Sequence, residues 1–278
     1  MNNKIVWLCA LAFALSLSAI GIASAPKAST SFHAGSPQTR QQYPISGEIN
    51  NVFELGPNAQ IEVSRIEGSV KIETANTDRA ELHFVRHART QRDYDCETID
   101  VQHTGNSLTI DHRRNSSCRV IQAYEELTLL VPQSANLSLS RLEGDVAVNN
   151  TSGYLQMRGI EGSVHIGEAQ AARIESVEGD VNVGVRQLDE KGISIRNVEG
   201  DVALRLVDGL NANLNVRHAA GVAIDLPNVP NRPARANSFQ SDDEDDSARH
   251  SMTILRLGGG GPDLSIVNIE GNVAVRRL

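Results

Sequence analysis

The chain has 278 residues, 26 Lys and Arg against 34 Asp and Glu, a net charge of −8 and only 4% aromatic residues. The acidic balance speaks against nucleic acid or an anionic lipid surface as a partner. The shortage of aromatic rings, with the single Trp at position 7, speaks against a carbohydrate-active enzyme, whose sites stack rings on sugars.

Residues 1–25 read as a secretory leader. Lys4 supplies the positive start, Ile5 to Ile22 is apolar, and Gly21-Ile22-Ala23 or Ala23-Ser24-Ala25 offers small residues for cleavage. Residues 26–45 are rich in Ser, Pro, Gln and Ala and read as a flexible linker. One domain is expected from 46 to 278.

That domain opens with Ile66-Glu67-Gly68-Ser69-Val70, the first of six copies of an apolar residue, Glu-Gly, then Asp, Ser or Asn, then Val. Next comes a hairpin pattern over about 96–118. Thr98 to His103 and Leu108 to His112 alternate around Thr104-Gly105-Asn106-Ser107. In an oxidising compartment Cys96 and Cys118, at its two ends, are expected to form a disulfide. Leu127, Leu129 and Val131 read as a further strand. Four copies follow, at Glu143-Gly144, Glu161-Gly162, Glu178-Gly179 and Glu199-Gly200, spaced by 18, 17 and 21 residues. Leu214 to Leu226 is a weaker copy with Ala220 in place of the Glu. An acidic run, Asp242 to Asp246, sits in a loop over about 229–250, and the sixth copy, Glu270-Gly271, closes the chain.

Counted from its Glu, each copy is apolar at −6, −4, −1, +3 and +5. Steps of two are strand periodicity with one buried face. The steps of three and four between them are corners that keep the apolar side inward. A positive φ is expected at the Gly, and the Asp, Ser or Asn beside it suits a turn. A repeat this short must stack on its neighbours. The expected fold is all-β: a single-stranded parallel β-helix, a solenoid of 17–21-residue coils, with right-handed winding favoured by the chirality of parallel crossovers.

No Gly-x-Ser-x-Gly, phosphate loop or His-Glu-x-x-His pattern occurs, so no catalytic residue, metal set or cofactor is expected. His83, His87, His103 and His112 read as surface histidines, the last two flanking the hairpin. Stacked coils put the glutamates in a column at about 4.8 Å spacing, where like charges repel. Arg65 and Arg141, two residues before their glutamates, are expected to pair with them, giving a solvated, partly paired ladder.

The Glu-Gly-Asp-Val repeats, Leu127-Thr128-Leu129-Leu130-Val131-Pro132 leading to Leu137-Ser138-Leu139, and Ala220-Gly221-Val222-Ala223-Ile224-Asp225-Leu226-Pro227 resemble the bacterial exported "putative adhesin" β-helix family, a domain of unknown function. The resemblance covers about residues 46–278 and implies a non-catalytic envelope or surface protein. The expectation is an exported binding or scaffolding module, in the periplasm or at the cell surface, that recognises an extended protein or cell-surface polymer. An envelope-stress accessory protein is the alternative, and a polysaccharide-active enzyme a more distant one. The last coil carries no obvious cap after Leu278, so its edge is expected to offer a surface for self-association.

Overall fold

The computed structural model describes residues 43–118, 120–227 and 252–278. The expected leader, most of the linker and the acidic run lie outside the described residues. No described helix is long and apolar enough to cross a membrane.

The described residues form eighteen strands and one short helix. They begin with β1 (Ile45–Glu54), β2 (Gln60–Ser64), β3 (Gly68–Ala75) and β4 (Arg79–Ala88). The helix α1 (Gln91–Asp95) leads into β5 (Glu97–Thr104), β6 (Ser107–Arg114) and β7 (Ala123–Pro132). The regular repeats give β8 (Asn136–Leu142), β9 (Val146–Val148), β10 (Thr151–Ile160), β11 (Val164–Ile166) and β12 (Ala169–Val177). They continue as β13 (Val181–Val185), β14 (Ile193–Val198) and β15 (Val202–Leu206). Last come β16 (Ala212–Asp225), β17 (Met252–Leu257) and β18 (Asp263–Arg277).

The strands of the six repeats stack in parallel and in register. The −6 residues form one row: Leu108 from the hairpin, then Ile61, Leu137, Leu155, Ala172, Ile193, Leu264 and Leu214. The +3 residues form another: Leu127, Val70, Val146, Val164, Val181, Val202, Val273 and Val222. All but Val222 are buried, and Val222 packs partly buried against them. A five-position apolar template thus builds one core, because each inward side chain rests on its counterpart in the next layer. The missing residue of the weak copy appears as a register shift between Ala219 and Gly221.

The corner lies elsewhere than the sequence suggests. The left-handed residue is at −2: Arg65, Arg141, Gly159, Ser176, Asn197 and Asn268, with φ between 54° and 67°, and His218 of the weak copy at 55°. Asn tolerates this region better than most residues. Here the side chains also bond one another, Asn268 Nδ2 donating to Asn197 Oδ1 at 3.0 Å and His218 Nδ1 meeting Asn268 Oδ1 at 2.9 Å. Of the motif glycines only Gly68 has a positive φ, a nearly extended 156°. Close approach is what requires them. A Cβ on Gly162 would lie 2.4 Å from the backbone of Gly144, and one on Gly271 would lie 2.5 Å from Gly200 O.

The Asp, Ser or Asn serves the next layer and not its own turn. Asp145 Oδ1 accepts from Ser163 N–H (2.9 Å) and Ser163 Oγ from Asp180 N–H (3.3 Å). Asp180 Oδ1 accepts from Asp201 N–H (2.8 Å) and Asp201 Oδ1 from Asn272 N–H (2.7 Å).

Order along the stack departs from order along the chain at both ends. β2 and β3 lie between the β6–β7 layer and the β8–β9 layer. β18 lies between β14–β15 and β16. The expectation that the C-terminal coil is a free edge therefore fails: the last strand is interior, with a parallel neighbour on each side. The outermost layer is β16, whose first half is covered by antiparallel β17. At the opposite end β4 covers β7, and β1 covers β4, both antiparallel. Such covers blunt exposed ladder edges.

The expected hairpin is present as β5 and β6, closed at Thr104 and Ser107. The Cys96–Cys118 disulfide ties its ends, with the Cα atoms 6.1 Å apart and the cysteines separated by 22 positions in sequence. Replacing both by Ser should cost about 3 kcal/mol of unfolding free energy. A urea titration showing a loss below about 1 kcal/mol would contradict this.

Candidate functional site

The −2 corners and the Glu side chains form the two walls of a groove of about 600 Å³ that runs across successive layers. One wall carries Glu143, Glu161, Glu178, Glu199 and Glu270. The other carries Arg141, Gly159, Ser176, Asn197, Asn268 and His218. The repeat places both walls, because parallel stacking in register aligns equal positions.

Four of the five motif positions have a structural account: two fill the core, the Gly admits the neighbouring backbone, and the Asp, Ser or Asn bonds the next layer. The Glu side chains have none. All five groove glutamates are exposed. Among the described residues none of them forms an ion pair, and stacking like charges disfavours a sheet. The expected pairing with Arg65 fails, since Arg65 turns to the Asp111 carboxylate and to His112 O (3.0 Å). The Ser64 hydroxyl also donates to Asp111 (2.6 Å). Burial raises the Asp111 pKa most, but Ser64, Arg65 and Arg113 together hold it below its usual value. Glu67 takes Arg114 as its partner instead.

A second cluster lies at the hairpin end of the stack. Arg86, Glu97, His112 and Glu125 are 5%, 3%, 2% and 0% exposed. Arg86 donates from Nε (3.0 Å) and Nη2 (2.8 Å) to Glu125 Oε1, and from Nη1 to Glu97 O (2.6 Å). Its guanidinium also lies 5.4 Å from the Phe84 ring centroid and 5.7 Å from that of Tyr94. Both Glu97 carboxylate oxygens and His112 Nε2 are buried without a hydrogen bond. Burial, aided by the Glu67 and Glu125 charges, pushes Glu97 up to about 7 against the pull of Arg86 and Arg114. Burial likewise lowers His112 below the ordinary histidine value. Glu67, Glu97 and His112 each bring a metal-ligating atom within 4.8 Å of the others.

His112 is therefore not a surface histidine. Nor does it face His103, which pairs with Leu108 while His112 pairs with Ile99. The missed signal is period two. Arg86 follows Ala80, Leu82 and Phe84 on the inward face of β4, His112 follows Leu108 and Ile110 on β6, and Glu125 precedes Leu127, Leu129 and Val131 on β7.

Residues 58–213 match the family model described as Toastrack DUF4097. No curated protein matches the chain. Among solved structures, a "putative cell adhesion protein" from Clostridium sporogenes ATCC 15579 is 12% identical, covering 84% of this chain and 100% of its own, with a TM-score of 0.37. A "putative adhesin" from Bacteroides fragilis NCTC 9343 is 11% identical over 84% of this chain and 97% of its own, with a TM-score of 0.30. A "putative lipid binding protein" from Parabacteroides distasonis ATCC 8503 is 8% identical over 84% and 97%, with a TM-score of 0.24. The family match runs from just before β2 to the start of β16, and takes in the buried cluster and the groove walls apart from His218, Asn268 and Glu270. The chain belongs to the Toastrack DUF4097 family.

Proposed function

We propose that the protein is a non-catalytic, adhesin-like binding module of the bacterial envelope whose acid-lined groove holds an extended, positively charged partner. One observation carries the reading: the Glu is the only motif position without a structural task. Five unpaired carboxylates at the layer spacing of about 4.8 Å suit lysine or arginine side chains on an extended polymer. The N-terminal leader pattern and the disulfide support export. On this reading the stack winds right-handedly, with the register offsets of 17, 18 and 21 residues as its turns.

The test is fluorescence anisotropy of labelled oligolysine titrated with the full chain. Binding should weaken as salt rises. The triple variant Glu161→Gln/Glu178→Gln/Glu199→Gln should bind about 30-fold more weakly, from three charge pairs of under 1 kcal/mol each. No measurable binding, or equal binding by the triple variant, would refute the groove as the site.

A further inference from the structure

We infer that Glu67, Glu97 and His112 form a site for one divalent transition-metal ion, with Zn²⁺ the ion that best suits the donor set. The inference is independent of the groove reading, because it rests on the buried cluster at the hairpin end.

Geometry comes first. The three ligating atoms lie within 4.8 Å of one another, and His112 Nε2 is 3.9 Å from Glu97 Oε2. A tetrahedral zinc with bonds near 2 Å spaces its ligands by about 3.4 Å, so side-chain rotations closing gaps of about 1 Å suffice. The second observation is the unmet bonding of buried groups. Both oxygens of Glu97 and the Nε2 of His112 have no hydrogen-bond partner. Buried polar atoms left in that condition are costly and need an explanation. A cation between them satisfies both residues at once. Arg65 Nε donates to His112 O at 3.0 Å, which holds the backbone of that ligand. Glu97 follows Cys96 directly, so the disulfide anchors the strand that supplies it.

The charge balance admits the ion. Glu125 Oε1 is 3.7 Å from His112 Nε2 but is already engaged by Arg86. Arg114 is the competitor. Its Nη2 binds the Glu67 carboxylate and stands 3.6 Å from Glu97 Oε1. That side chain is 44% exposed, so it can swing into water as the metal takes its place. A cavity whose lining includes Arg65, Glu67, His112, Arg113 and Arg114 reaches two of the three ligands, Glu67 and His112, and gives an entry path from that side. One imidazole and two carboxylates suit zinc. They do not suit calcium, which takes six to eight oxygens.

The experiment is titration of the chelator-treated full chain with Zn²⁺ by calorimetry and with Co²⁺ by visible absorption. One ion per chain should bind, with ligand-field bands for cobalt. Glu97→Gln keeps the shape and should weaken binding about 100-fold, as should His112→Gln. Arg114→Gln should tighten it about tenfold by removing the competing cation. His103→Gln should change nothing. Absence of binding, or unchanged affinity in Glu97→Gln, overturns the site. If the buried variants do not fold, Arg114→Gln decides: tighter binding upholds the site, and equal or weaker binding overturns it.

Discussion

Replacing Glu125 with Ala should remove about 4 kcal/mol of stability, among the largest single-residue effects in the molecule. Glu125 is fully buried and Arg86 nearly so, and two guanidinium nitrogens meet one carboxylate oxygen at 3.0 and 2.8 Å. Deleting one partner leaves the other charged, dry and unpaired, a loss that far exceeds the net worth of the pair. Arg86→Met should therefore cost as much. The double variant Arg86→Met/Glu125→Ala should cost less than the two singles together, because neither member of the pair is then left buried without the other. Urea denaturation of the four proteins gives the coupling directly. Single variants within about 1 kcal/mol of the parent would show that the pair is not dry.

The second large effect is expected at Gly162. Ala there should cost about 3 kcal/mol, since its methyl carbon would sit 2.4 Å from the backbone of Gly144, whose neighbour Glu143 is held by its N–H to Ile66 O (2.9 Å). Gly105→Ala is the comparison. Its φ of 58° is unfavourable for Ala, yet nothing lies within 4 Å, so the cost should be about 1 kcal/mol. Glu161, the neighbour of Gly162, changed to Gln, should leave stability unchanged or raise it slightly, because a repelling column loses a charge. Equal losses at Gly162 and Gly105 would show that backbone freedom governs the motif glycines, and not close approach.

The template residues were readable because their physics is local and periodic. Leu137, Leu139, Leu142, Val146 and Val148 face inward as their spacing demands, and so do their counterparts in the other copies. The Glu-Gly pair was visible too, but its division of labour was not. Left-handed geometry at Arg141 or Ser176 carries no compositional mark, and the contact of Gly162 with Gly144 is made across 18 residues of chain. The buried cluster is harder still. Arg86, Glu97, His112 and Glu125 come from four strands, and only tertiary pairing joins them. Each strand's own alternation did place its charged residue inward, and that continuation of the pattern was the usable clue. Layer order was illegible for a related reason: equivalent repeats are nearly interchangeable partners, so spacing alone cannot say which sits beside which.

The interior position of β18 separates the order of synthesis from the order of assembly. A polypeptide made from its N-terminus can add layers in turn as far as β15. The following segment, β16, has its parallel partner in Asp263–Arg276, which is made after it, and until then only β17 is there to pair with its first half. The layer of β16 can therefore join the pile only with or after the docking of β18 on β14 and β15. A chain lacking β18 would lose a middle course of the masonry, and β16 and β17 beyond it would be left unattached.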